Sequence, residues 1–348
     1  MKVVFDPRQT AHAPETYFRR GGFITHPEQP QRAILLRDAL AAAGHAIVPP
    51  ADHGLGPLYA VHDRGYVDFF RTAWTRWVEA TGSTEAAVPN YHTGRREGRV
   101  PQGVVGQLGY YATDTACPVM AGTWEAIYWS AQSAVDAADQ VLAGARMVYG
   151  LSRPPGHHAS WDASNGFCFF NNAAAAARHL RRKFARVAVL DVDTHAGNGT
   201  QDIFYGDPDV FYASLHVDPA DYPPYYLGYG DETGRDAGLG TTLNLLLNPG
   251  DGDAEIGLAV DRALAAIRDF GAEALVVSLG FDMAHDDPLS VVRCTADGFA
   301  ATAAKITRFG LPTVLVQEGG YLGPSLSDNA VMFLNACDAA LAADAAAG

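Results

Sequence analysis

Short apolar runs that end in charged or imidazole side chains recur along this chain, separated by alanine-rich stretches of helical length, and few folds accommodate that alternation. Candidate strands fall at 3–6, 147–151, 187–193, 210–216, 274–279 and 313–317, and candidate helices at 31–43, 124–142, 173–183, 254–270, 296–309 and 330–342. Strands interleaved with helices predict an α/β fold, a central mostly parallel sheet flanked by helices. Gly271 and Gly310 stand just past two of these helices, where a left-handed C′ residue is wanted. No repeat, linker or composition shift divides the 348 residues, so a single domain over 1–348 is expected. One stretch breaks the rhythm. Residues 82–121 are rich in Gly, Pro, Thr and Arg without a sustained period, which fits a lid, a binding loop, an interface element or a partly disordered surface insertion. The low-complexity tail at 343–348 is expected to fray.

With 48% hydrophobic and 18% charged residues, the chain can bury a large core. Its net charge of −14 repels phosphate backbones and anionic bilayers, so neither nucleic acid nor membrane is expected as a partner, whereas cationic small molecules are drawn to it. No apolar run is long enough to span a bilayer and no signal peptide is expected ahead of the first strand. Cys117, Cys168, Cys294 and Cys337 form no C-x-x-C pair and are expected to be buried free thiols of a cytoplasmic protein.

The chemistry gathers at the ends of the strands. The run Val187-Ala188-Val189-Leu190 leads into Asp191-Val192-Asp193-Thr194-His195, and alternate residues of a persisting strand share a face, so the two carboxylates and the imidazole can point the same way. Grouping them at a buried strand end is costly unless a divalent cation compensates. Three more strand ends deliver His157-His158, Asp282 and Gly319-Gly320-Tyr321. Ligands of open α/β sheets bind beyond the carboxyl ends of the strands, so four such ends together predict a metal site. His45, His53, His92 and His179 lack this setting and are expected at the surface.

At these residues the chain resembles the histone deacetylase family, and within it the acetylpolyamine amidohydrolase branch. The likeness rests on His26-Pro27-Glu28-Gln29-Pro30-Gln31-Arg32, Val61-His62-Asp63-Arg64-Gly65-Tyr66, Arg153-Pro154-Pro155-Gly156-His157-His158-Ala159 and Gly166-Phe167-Cys168-Phe169-Phe170-Asn171-Asn172. It extends to residues 191–199, Ser214-Leu215-His216, Gly280-Phe281-Asp282 and Glu318-Gly319-Gly320-Tyr321. It implies a single arginase/deacetylase-like domain and one catalytic zinc per subunit on Asp193, His195 and Asp282, with a position open for water and substrate. His157 and His158 would handle protons, Tyr321 would help polarise the substrate carbonyl, and Asp191 and Asn198 would stand behind the two histidines. A structural potassium would use Asp191, Asp193, His195, Ser214 and Leu215. Gly166 and Phe167 would line a substrate tunnel with Leu289, and Tyr225 or Tyr226 would form a further wall. Asn198 stands where the most studied histone deacetylases carry aspartate, as in the polyamine and class II branches.

The implied reaction is hydrolysis of an acetylated amine, above all an acetylpolyamine, to acetate and free amine, by a homodimer joined through the 82–121 insertion. Glu97 and Asp114 are candidate contacts for a cationic substrate, against the simpler reading of solvated loop charges, and Arg95, Arg96 and Arg99 would oppose it if they faced the tunnel. The alternatives are an acyl-lysine or other small acyl-amide deacylase, a two-manganese ureohydrolase and a non-enzymatic binding protein. Ala196-Gly197 stands where ureohydrolases carry a further aspartate, and no ligand position is lost. Iron, cobalt or manganese could also occupy an Asp-Asp-His site.

Overall fold

A computed structural model describes residues 1–93 and 98–347. Ten strands occur among these residues: β1 (Lys2–Val4), β2 (Thr16–Arg19), β3 (Gly22–Thr25), β4 (Ala46–Val48), β5 (Met147–Gly150), β6 (Val187–Asp191), β7 (Val210–Val217), β8 (Thr242–Leu247), β9 (Ala274–Leu279) and β10 (Thr313–Gln317). Eight form one sheet in the order β4-β1-β5-β10-β9-β6-β7-β8, and every pairing in it is parallel. β2 and β3 form a separate antiparallel hairpin.

Strands covered on both faces can be apolar throughout, and β5, β6, β7, β9 and β10 are buried along their whole length. Alternation then divides each strand between two cores. Ala188 and Leu190 join the layer under helices Pro30–Ala42, Asp253–Phe270, Ala296–Arg308 and Leu326–Ala347, whereas Val187 and Val189 join the layer under Thr123–Leu142 and Asn172–Leu180. Caps set the helix ends. Asn171 and Thr295 each accept a backbone N–H from the first turn of the adjoining helix, and Gly271 closes its helix in the left-handed conformation.

The alternating pattern predicts these central elements, with β6 ending two residues earlier than expected. β4, β8, the β2–β3 hairpin and helices Gly56–Tyr59, Arg64–Thr81, Val104–Tyr110 and Asn198–Phe204 add to them. The last helix includes the tail as far as Ala347. Described residues of 82–121 pack onto the rest of the domain. Ala87 bridges to Val119, and Val104, Leu108, Tyr111, Cys117 and Val119 bury themselves with Tyr66, Phe69 and Phe70 in a third, aromatic core. All four cysteines are free and buried. Among the described residues no helix is long and apolar enough to cross a membrane.

The sheet order positions the chemistry. The strands preceding the tandem histidines, the Asp-x-Asp-x-His run, Asp282 and Tyr321 are β5, β6, β9 and β10, and they are contiguous as β5-β10-β9-β6. Four adjacent strand tips lie within about 15 Å of one another at the usual strand spacing.

Candidate metal centre and active site

β6 stops at Asp191, so Asp193 and His195 are presented by the turn beyond it and not by a continuing strand face. That turn is held from within. Asp191 Oδ1 accepts the Asp193 N–H (3.2 Å), Asp193 Oδ1 accepts that of His195 (2.9 Å), and Asp282 Oδ1 accepts that of Thr194 (3.1 Å). His195 Nδ1 then sits 3.0 Å from Asp193 Oδ1 and 3.1 Å from Asp282 Oδ2. One atom from each side chain falls within 4.8 Å of the other two. The loops after β9 and β10 come close enough to support the cluster only because Gly280 and Gly319 lack side chains. A Cβ at Gly280 would lie 2.2 Å from Asp193 Oδ2, and one at Gly319 2.2 Å from Asp282 Oδ2. Gly319 uses that approach to donate its N–H to Asp193 Oδ2 (2.8 Å).

The charges of this cluster suit a divalent cation. Asp193 and Asp282 are fully buried. Burial and the neighbouring Asp193 charge push the Asp282 carboxyl above its ordinary range, while His195, against the cost of its own burial, is held well above the imidazole range by Tyr222 and the two carboxylates. Two acids thus draw positive charge to one point, and two oxygens with one imidazole nitrogen are a donor set for zinc and related first-row ions.

The tandem histidines stand beside it in unlike settings. Gly156 and His157 both donate backbone N–H groups to Glu318 Oε2 (2.6 and 3.0 Å), which ties the loop after β5 to the end of β10. His157 Nδ1 is 3.0 Å from Asp191 Oδ2 and His158 Nδ1 is 2.7 Å from Asn198 Oδ1, with the two rings 4.1 Å apart. Burial disfavours charge on both, but Asp191 and Asp193 overcome it at His157 and raise its pKa to about 10. His158 has only an amide behind it, and burial with the charges of His157 and His195 keeps it well below the imidazole range. Two neighbouring imidazoles are therefore driven to opposite protonation states. Tyr321 is buried with its ring 6.0 Å from that of Phe167 and 4.7 Å from the Arg32 guanidinium carbon. Its backbone N–H is held by Asp287 Oδ2 (2.7 Å).

The structure brings together most residues that the sequence singles out. Leu289 packs with Phe167 and Tyr321, and Gly166 begins the turn that presents Phe167. Asp191 pairs with Ser214 across β6 and β7, Leu215 is the next residue of β7, and the Ser214 hydroxyl lies 2.7 Å from His216 Nδ1. Tyr225 and Tyr226 are exposed, and Tyr222 stacks its ring on His195 (5.0 Å, interplanar angle 23°) and donates its hydroxyl to the Leu289 carbonyl. Asp114 is half-buried, and its oxygens accept the N–H groups of Gly166 (2.9 Å) and Ala116 (2.8 Å), which braces the Phe167 turn. Arg99 is exposed, and Arg95, Arg96 and Glu97 lie outside the described residues. His45 and His179 are buried and His53 half-buried, against the expectation of surface positions, whereas His92 is exposed as expected.

Several supporting residues have no individual role in the sequence reading. Glu28 Oε1 accepts from both Arg32 Nη1 and Arg153 Nε (2.8 Å each), all three fully buried, and Arg32 also donates to the carbonyls of Glu318 and Gly320, fixing the loop that carries Tyr321. These three lie within the motifs that carry the family resemblance, as does Glu318. Tyr222 and Tyr17, whose ring meets Phe167 edge-on at 5.5 Å, lie in none.

The histone deacetylase domain model matches residues 26–337. The chain belongs to the histone deacetylase family. Within that metal-dependent family it is 46% identical to the acetylpolyamine amidohydrolase of Burkholderia pseudomallei (strain 1710b) over 334 residues, 96% of this chain and 97% of that one. It is 43% identical to the acetylpolyamine amidohydrolase of Mycoplana ramosa over 331 residues, 94% and 97% of the two chains. A crystal structure of acetylpolyamine aminohydrolase from Burkholderia pseudomallei superposes with a TM-score of 0.94 at 45% identity, covering 98% of this chain and 99% of that one. As a deacetylase-family member the chain is an amidohydrolase acting on acetylated amines, and its Asp-Asp-His cluster lies at the strand ends where ligands of such sheets bind.

Proposed function

We propose that this deacetylase-family enzyme hydrolyses acetylpolyamines to acetate and free amine, using one zinc ion held by Asp193, His195 and Asp282. The observation that carries the reading is the convergence of those three donors beside the tandem imidazoles of His157 and His158, backed by Asp191 and Asn198, and a buried tyrosine. When bound, the cation supplies Lewis acidity, which polarises the amide carbonyl and lowers the pKa of water from about 15.7 towards 7.

The side chains divide the remaining work. Neutral His158 accepts the proton released as the water oxygen forms its bond to the acetyl carbon. His157, kept protonated by Asp191, supplies fixed positive charge nearby. The Tyr321 hydroxyl donates to the carbonyl oxygen as it becomes an oxyanion, a stabilisation of about 2.7–4 kcal/mol per donor. The C–N bond then breaks as His158 returns the proton to nitrogen, leaving acetate and the amine. Phe167, Leu289 and Tyr222 flank the reacting centre with apolar surface suited to an alkyl chain.

A polyamine substrate is supported by the names of the relatives, which align over more than nine-tenths of their length, and by the net charge of −14. A homodimer through the 82–121 insertion is supported by apolar side chains left exposed there, at Tyr91, Val100 and Val105. A structural potassium ion at Asp191, Asp193, His195, Ser214 and Leu215 is supported by the pairing of Asp191 with Ser214 in a fully buried stretch, and a cytoplasmic setting by the four free cysteines. The test is a panel of acetylputrescine, acetylcadaverine, acetylspermidine and an acetyl-lysine peptide, assayed at defined zinc content. The proposal expects kcat/KM to favour the acetylpolyamines; preference for the peptide would move the enzyme to the acyl-lysine class, and turnover that ignores zinc content would refute the mechanism.

A further inference from the structure

We propose a second metal site, remote from the catalytic cluster, in which His53, His179 and Asp139 bind a divalent first-row cation. The fold brings these residues together from far apart in the chain. One ring nitrogen of each histidine and one oxygen of Asp139 lie within 4.8 Å of one another. The two rings are 5.6 Å apart at 74°, and His179 Nε2 is 3.1 Å from Asp139 Oδ1, close to the separation of about 3.3 Å between two ligands on a tetrahedral zinc with bonds near 2.05 Å.

The surroundings are those of a ligand set. Asp136 and Asp139 are three residues apart on helix Thr123–Leu142 and so share a face. Asp136 Oδ1 stands 3.2 Å from His53 Nε2, so a second carboxylate adjoins the cluster. The loop bearing His53 is fastened to the same helix, since His53 N–H donates to Gln132 Oε1 (2.7 Å) and Ala51 N–H to Asp136 Oδ1 (3.1 Å). His179 is buried, and burial holds its imidazole below the ordinary range, so it is neutral and ligand-competent at neutral pH. Beside the cluster lies a cavity of about 340 Å³ lined by Pro57, Ala60, Ala175 and Arg178 as well as both histidines, with room for water to complete the coordination.

A positive group already occupies the position. The guanidinium of Arg182, on a side chain 65% exposed, approaches both His179 Nε2 (3.1 Å) and Asp139 Oδ1 (3.7 Å). Arg178 is neutralised by Asp207 at 2.9 Å. Asp136, Asp139 and Asp207 outnumber the two arginines, Arg178 and Arg182, that line the adjoining cavity, which favours a further cation, and Arg182 can swing into solvent to admit it. Bound metal would clamp helix Thr123–Leu142 to helix Asn172–Leu180, both of which pack under the catalytic sheet.

The experiment is zinc titration of the full-length enzyme already carrying its catalytic equivalent, read by equilibrium dialysis and by the thermal unfolding midpoint. Wild type is expected to take up a second equivalent and to unfold at higher temperature as it does so. His53→Ala and His179→Gln should each weaken that second equivalent by at least about tenfold while deacetylation is retained, which also reports that they fold. Arg182→Ala should tighten it. No second equivalent in wild type or in Arg182→Ala, or a second equivalent indifferent to both histidine substitutions, overturns the proposal without touching the catalytic assignment.

Discussion

The floor of the active site and its rim are assembled differently. Asp193, His195, Asp282, His157 and His158 lie just past the tips of neighbouring parallel strands, and backbone N–H groups of the adjoining loops grip the carboxylates that orient them. Phe167, Tyr17, Tyr222 and Leu289 come from four separate segments, joined by ring edges, by the Asp114 brace and by one hydroxyl-to-carbonyl bond. The floor is locked by the sheet, so its chemistry should fail completely when one member is lost. The rim is a set of local contacts, so its losses should fall on substrate binding and stability. That contrast can be broken or sharpened by substitutions on each side of it.

The largest effect is expected at the floor. Asp193→Ala or Asp282→Ala should abolish turnover and retention of stoichiometric zinc together, as measured by metal analysis alongside kcat. A variant that kept its zinc would remove that residue from the ligand set. Tyr321→Phe comes next and should lower kcat by about 10²–10³ while KM changes by only a few-fold, because the hydroxyl acts on charge that develops in the transition state. Survival of kcat to within a few-fold would assign the oxyanion to other donors.

Smaller effects belong to the rim. Asp114→Ala strips two backbone N–H groups of their acceptor, and denaturant unfolding should show a loss of about 1–3 kcal/mol with a raised KM and unchanged zinc content. Tyr222→Phe removes only the hydroxyl bonded to Leu289 and keeps the ring on His195; it should cost about 1 kcal/mol in kcat/KM, expressed through KM. Loss of zinc from either variant would show that floor and rim are not separable.

Legibility in the sequence divides along the same line. Strand tips punctuated by Asp, His and Gly are local patterns, and the parallel sheet turns local position into spatial neighbourhood, so the metal and proton-handling residues are legible from residues 147–321. The hairpin at 16–25 and the turn holding Tyr222 carry no period, and their proximity to Phe167 depends on long-range packing. Tyr222 lies in no motif, so nothing in the sequence marks its ring as the one stacked on His195. Asp114 reads as a loop charge because its partners, Gly166 and Ala116, are backbone groups with no side-chain signature. His179 lies on a helix whose burial comes from its small alanine neighbours, and its meeting with His53 is visible only once the helices are packed.

Anomalous scattering at the zinc edge from crystals of the zinc-loaded enzyme tests the central claim most directly. The account predicts a peak about 2.0–2.2 Å from Asp193, His195 and Asp282 at once. Zinc bound in the crystal with no peak at that position, for example only between His53 and His179, would contradict it.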